Sequence, residues 1–188
     1  MRERIFTLSN QLTLLRLALV PLFVLTVLDG RYGWALGLLV AAGLSDFFDG
    51  LAARWLKQKT RLGGYLDPIA DKLLLSTSFV VLAIKGDVPW ALTILVLGRD
   101  VLIVAIVGVI TLTAGLQPFR PSLWGKACTT AQIVTVFAVV LWQVAPKVWL
   151  DWTKDALLWA TAALTVLSGL HYAYRTGKVL PEITTKDE

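Results

Sequence analysis

The chain has 188 residues, 56% of them hydrophobic and only 16% charged, with a mean hydropathy of +0.69 and a net charge of +5. Soluble domains run at about 45–50% apolar and about 25% charged, so the composition points to a membrane protein. One cysteine (Cys128) excludes an internal disulfide, and with one histidine (His171) it leaves too few nitrogen and sulfur ligands for a zinc site.

In chain order, MRERIFTL is too short to span a bilayer and is expected to lie along its surface as a short amphipathic helix. The apolar run after it has no small-residue cleavage site and is followed by further spans, so it reads as a retained first span rather than a signal peptide. A spanning helix needs roughly 20 mostly apolar residues. Six stretches come close: 10–28, 34–56, 65–84, 89–114, 123–145 and 152–174. Turn or charge signals separate and end them: DGRYG, KQKTRLGG, KGDVP, GLQPFRP, APKVWLD and RTGKVLPE. The fold expected is all-α, one integral membrane domain over 1–188 with six transmembrane helices. Eight tryptophans suit such a protein, because Trp gathers at membrane interfaces.

The basic residues set the orientation. Arg2, Arg4, Lys57, Lys59, Arg61, Arg120, Arg175, Lys178 and Lys186 fall on one side, and Arg31, Lys85, Lys147 and Lys154 on the other. The richer side is expected to face the cytoplasm, together with both termini. The positive charge is scattered and no nucleic-acid motif is present, so the partner it implies is anionic lipid.

Four aspartates stand at the edges of the second and third spans, all near the cytoplasmic side: Asp46, Asp49, Asp67 and Asp71. Spacings of three and four put each pair on one helix face. Joined by a short turn, the two spans bring the pairs to one depth. Four carboxylates in a poorly solvated place repel one another, and divalent cations would neutralise them. All-oxygen ligands suit Mg²⁺, Mn²⁺ or Ca²⁺. Gly50, Gly63 and Gly64 allow close backbone approach, Ala52 and Ala53 leave room, and Arg54 offers a fork suited to phosphate. Pro68 fits the first turn of the third helix. Together these residues suggest a pyrophosphate ligand. The competing reading is that the charges only pair with one another, as Asp46–Arg54 or Asp71–Lys72.

DFFDGLAARWLKQKTRLGGYLDPIAD fits the signature D-x₂-D-G-x₂-A-R-x₈-G-x₃-D-x₃-D at every fixed position, and so resembles the CDP-alcohol phosphotransferases. The resemblance implies that a CDP-linked lipid or alcohol donates a phosphate-bearing group to an acceptor hydroxyl and that CMP leaves. It implies that Asp46, Asp49, Asp67 and Asp71 hold two Mg²⁺ or Mn²⁺ ions and that Asp71 is the general base. Gly50, Ala53 and Gly63 would make room for the nucleotide and Arg54 would hold its phosphate. It also implies a homodimer. NQLTLLR is similar to the N-terminal N-x₂-T-x₂-R element of bacterial members, which puts Asn10, Thr13 and Arg16 on one face toward the nucleotide or metal pocket. The alternative there is helix capping, with Arg16 reaching back to the interface.

Candidate cations for an acceptor phosphate are Arg99, Arg120 and Lys126; the alternative for Arg99 is a packing pair with Asp100. WGKACTTAQ is similar to the G-K-x-K-T element of phosphatidylglycerophosphate synthases but has Cys128 where that element has its second lysine. Cys128 itself reads as a small packing residue, and His171 as a cap of the last span near the cytoplasm, the alternative being a contact with the site. The expected donor is CDP-diacylglycerol and the expected acceptor glycerol 3-phosphate, with phosphatidylglycerol, inositol phosphate or serine as alternative acceptors. Outside the family, the alternatives are an aspartate-rich membrane prenyltransferase or a cation transporter. The first is disfavoured by the lack of adjacent aspartates, the second by the placing of both pairs at one face.

Overall fold

A computed structural model of the chain describes residues 8–56, 61–114 and 123–184, with side chains described at 13–46, 70–106, 123–172 and 174. Six helices carry them: α1 (Leu8–Leu28), α2 (Tyr32–Leu56), α3 (Arg61–Ile84), α4 (Trp90–Ala114), α5 (Leu123–Val144) and α6 (Val148–Thr184). No strand occurs among the described residues. Each expected span has its helix. The surface helix expected over residues 1–8 falls outside the described residues save for Leu8, which opens α1.

Three boundaries differ from expectation by four residues or more: α6 begins at Val148 rather than 152, and two others share a cause. Helix α3 begins at Arg61, so Gly63 and Gly64 are helical, and Pro68 lies beyond the first turn rather than in it. Helix α6 runs ten residues past 174, through Gly177 and Pro181. The reason is the same in both: glycine and proline weaken a helix without forbidding one.

Where the chain does turn, glycine is needed. Gly30 has φ 73° and Gly86 has φ 79°, the left-handed region that L side chains avoid. Around Gly30, its own N–H donates to Val27 O at 3.0 Å and Arg31 N–H to Thr26 O at 2.8 Å. Around Gly86, the same pair of bonds runs to Ala83 O at 3.1 Å and from Asp87 N–H to Leu82 O at 2.9 Å. Both are Schellman caps, which satisfy the last carbonyls of α1 and α3.

The chain packs as two compact units. The first comprises Met1–Val88 with Val136–Asp151, the second Pro89–Thr135 with Trp152–Glu188. In the first, α1 lies against both α2 and α3. Phe23, Val27, Ala35, Ala42, Phe79, Leu82, Val139 and Val140 are buried there. Asp87, just past the α3 cap, accepts hydrogen bonds from the Tyr32 hydroxyl and from Gln143 Nε2, tying α2 and α5 to that turn.

In the second unit a buried polar seam joins α5 to α6. Thr135 and Thr161 hydroxyls meet at 2.7 Å, and Cys128 Sγ lies 3.5 Å from Thr165 Oγ1. Gln132 donates to Cys128 Sγ at 3.5 Å.

Beside the apolar core, polar side chains are buried and many large apolar ones face outward. Thr13, Arg16, Ser78, Thr93, Arg99, Asp100, Gln132, Thr135, Thr161, Thr165 and Ser168 are buried, while Leu15, Leu25, Val40, Ile94, Val101, Val104, Ile133 and Leu170 face outward. Water does not drive apolar side chains outward, whereas lipid tolerates them and favours polar contacts between helices. Among the described residues, Leu123–Val144 is the one helix that is long and apolar enough by itself to cross a membrane, and Thr13–Leu28 is a shorter apolar helix.

Candidate active site

The site is built on α1. Thr13, Arg16, Phe23 and Val27 recur at helical spacing and are all buried, so they form the stripe that faces α2 and α3. Arg16 is 1% exposed. A guanidinium does not lose its proton in a protein, so a buried one must be matched by anions. Arg16 finds two. Its Nη2 donates to Asp46 Oδ1 on α2 at 2.9 Å, and its Nη1 donates to Asp71 Oδ1 on α3.

One cation thus gathers one aspartate from each signature pair, and both come from different helices. The carboxylates themselves are far from buried: 59% of the Asp46 side chain and 48% of the Asp71 side chain remain exposed. Arg16 approaches from inside the bundle and the aspartates open outward. Arg16 brings one positive charge to the two carboxylates.

Asp49 and Asp67 sit on the helical backbone of α2 and α3, one turn from Asp46 and Asp71 respectively. Their side chains lie outside the described residues. Among the described residues no three His, Cys, Asp or Glu side chains converge. What is described fits a hard divalent cation in chemistry: carboxylate oxygen donors, open on one side, with a fixed charge behind them.

The side chains of Asn10, Gly50, Ala53, Arg54 and Gly63, and the whole of Arg120, also lie outside the described residues. Thr13 is fully buried on the Arg16 face. Lys126 is exposed in the first helical turns of α5.

Arg99, in the second unit, is 7% exposed. Its Nη1 donates to Asp100 Oδ1 at 2.7 Å, and its Nη2 and Nε donate to Ser168 Oγ at 2.9 and 3.3 Å. Tyr172 lies beside it, with the ring centroid 6.0 Å from the guanidinium carbon. The packing pair with Asp100 is therefore present. His171 stands edge-on to Tyr172, with ring centroids 6.4 Å apart. Cys128 is fully buried, in keeping with a packing role.

Arg16 lies on the face of α1 expected to point toward the pocket, and not back at the interface, but two details were not foreseen from sequence. Its direct bonds to both Asp46 and Asp71 are the first. The signal available was its charge deep in an apolar run, which requires a counter-ion. Ser168 as the Arg99 partner had no such signal, since serine is common on any helix face.

The sequence profile described as CDP-alcohol phosphatidyltransferase matches residues 6–167. A Mycobacterium tuberculosis protein provisionally named a cardiolipin synthase is 36% identical over 170 residues, 85% of this chain and 81% of the relative. A second M. tuberculosis protein, provisionally named a phosphatidylglycerophosphate synthase, is 36% identical over 182 residues, 93% of this chain and 83% of the relative. The CDP-diacylglycerol–glycerol-3-phosphate 3-phosphatidyltransferase of Escherichia coli K12 is 35% identical over 174 residues, 89% of this chain and 93% of the relative. With a profile match running from α1 into α6 and the carboxylates of α2 and α3 gathered on Arg16, this chain belongs to the CDP-alcohol phosphatidyltransferase family.

Proposed function

We propose that the chain transfers the phosphatidyl group of CDP-diacylglycerol to a hydroxyl of glycerol 3-phosphate, releasing CMP. The observation that carries the reaction class is the meeting of Asp46 and Asp71, from the two halves of the signature, on one buried guanidinium. Asp71 takes the proton of the acceptor hydroxyl. The acceptor oxygen bonds to the phosphatidyl phosphorus, the bond from that phosphorus to the bridging oxygen breaks, and the electron pair leaves with CMP. Bound Mg²⁺ or Mn²⁺, two ions held by Asp46, Asp49, Asp67 and Asp71, would supply charge neutralisation and orientation of the pyrophosphate. Gly50, Ala53 and Gly63 admit the nucleotide, Arg54 holds its phosphate, and Asn10 and Thr13 border it. Positioning supplies most of the rate, as in phosphoryl transfer generally.

The glycerol 3-phosphate acceptor is supported by similarity to the E. coli enzyme, and Arg99, Arg120 and Lys126 are the cations proposed to hold its phosphate. A second reading, with phosphatidylglycerol as acceptor and cardiolipin as product, is favoured by Cys128. The position where the phosphatidylglycerophosphate synthase element carries a second lysine is an uncharged, fully buried thiol packed on Thr165. The relative with the cardiolipin synthase name points the same way.

The six helices are read as six spans of a cytoplasmic membrane, with the carboxylate site and both termini on the cytoplasmic side, in a homodimer. Exposed Trp34, Trp90, Trp149 and Trp152 stand at the starts of α2, α4 and α6, as tryptophans at the ends of spans do. The deciding experiment supplies radiolabelled CDP-diacylglycerol and Mg²⁺ with glycerol 3-phosphate, phosphatidylglycerol, inositol phosphate or serine. Labelled phosphatidylglycerophosphate is expected. Turnover with another acceptor and none with glycerol 3-phosphate would refute the acceptor assignment, and absence of CMP release with every acceptor would refute the reaction.

A further inference from the structure

We infer that Arg16 is a resident counter-ion of the carboxylate site, one that opposes the bivalent cation electrostatically and sets how tightly it binds. The inference rests on the metal-binding reading above. Arg16 is 1% exposed and bridges Asp46 and Asp71, so it is a positive charge that draws these two carboxylates together. Without it, two like charges on neighbouring helices would repel, a cost that a bound bivalent cation would then relieve more fully.

The bridge is not a fully satisfied structural tie. Only the two terminal nitrogens are engaged, and the buried Nε has no hydrogen-bond partner among the described residues. A guanidinium serving only to pin helices gains most by spending all its donors, preferably as a bidentate fork on one carboxylate. Here the fork is split between two, which suits a group that spaces the carboxylates.

The geometry also separates the two cations. Arg16 holds the aspartates from the buried side, while their exposed surfaces face the side from which an ion would come. The ion need not expel Arg16 to bind, but it must bind against a fixed positive charge on the far side of the same carboxylates. A weaker, releasable ion is the consequence.

The test is a Mg²⁺ titration of the full-length protein in detergent micelles, following the thermal midpoint, with wild type, Arg16→Gln and Arg16→Lys. Wild type is expected to gain stability as Mg²⁺ is added. Arg16→Gln is expected to melt lower without Mg²⁺ and to reach half-saturation at an Mg²⁺ concentration lower by about tenfold or more. Arg16→Lys keeps the charge and is expected to keep a half-saturation near wild type. A Gln variant whose midpoint drops equally with and without Mg²⁺, at unchanged half-saturation, makes Arg16 a packing residue and overturns the inference while leaving the metal reading intact. No Mg²⁺ response in wild type overturns both. Should the Gln variant not fold, ¹⁵N spectra of the arginine side chains in wild type decide: Mg²⁺ must shift the Arg16 guanidinium signal, identified by its absence in Arg16→Lys, and an unmoved signal overturns the inference.

Discussion

Arg99 closes on Ser168 from 69 residues away, two guanidinium nitrogens sharing one hydroxyl oxygen while a third holds Asp100. The three side chains lock α4 to α6 inside the second unit. Breaking a buried ion pair by removing one partner costs about 3–5 kcal/mol, because the other charge stays behind. Arg99→Met is therefore expected to lower the thermal midpoint sharply. Arg99→Met combined with Asp100→Leu should recover most of the loss. The proposed acceptor role adds a separate expectation: Arg99→Lys raises KM for glycerol 3-phosphate and leaves KM for CDP-diacylglycerol unchanged. A fall in stability with both KM values unmoved would make Arg99 a packing residue only.

Asp71 carries two duties that one substitution separates. Asparagine keeps an oxygen that can accept from Arg16 Nη1, so the tie between α1 and α3 survives. It cannot take a proton from the acceptor hydroxyl. Asp71→Asn is expected to cut CMP release by about 10²–10⁴-fold, the usual worth of a general base, while melting close to wild type. Near-normal turnover would place the base elsewhere.

The caps at Gly30 and Gly86 give a cleaner case, because a Cβ added at either would meet nothing within 4 Å. Any cost of alanine there is conformational and not steric crowding. At φ 73° and 79° that cost is about 1–2 kcal/mol each. Gly98 is equally open but lies inside α4. Gly98→Ala should be neutral or stabilising by up to about 1 kcal/mol. Thermal midpoints of the three alanine variants check the ranking, and a Gly98→Ala loss as large as the other two would refute it.

Helix number and rough extent were legible because apolar run length and turn composition are local properties. The same local reasoning misplaced the start of α3 and the end of α6, where glycine and proline signalled breaks that neighbouring helix formers overrode. Asp46 and Asp71 stood out as a site because charge in an apolar setting is costly, and that cost is visible in one dimension. The N-x₂-T-x₂-R resemblance pointed Arg16 toward the pocket, but its bridge to both aspartates was not legible. The Arg16 bridge depends on how α1 crosses α2 and α3, and residue spacing along a single helix carries no information about that crossing. Ser168 reaching Arg99 is the same problem in the second unit.

Cys128 tests the acceptor question from the side of packing. Its sulfur is fully buried on α5 between Thr165 of α6 and Gln132 one turn along. A thiol in that position is reached only by local opening, and an opening free energy of about 3 kcal/mol slows its reaction more than about a hundredfold. Maleimide should therefore label the protein readily in SDS and very slowly in mild detergent. Cys128→Ala removes the sulfur and should cost little stability, since the Thr135–Thr161 contact on the same seam remains. If Cys128 only packs, the ratio of phosphatidylglycerophosphate to cardiolipin formed must be the same in Cys128→Ala and wild type. A changed ratio would mean that the thiol reaches the acceptor, and that its burial against Thr165 does not persist during turnover.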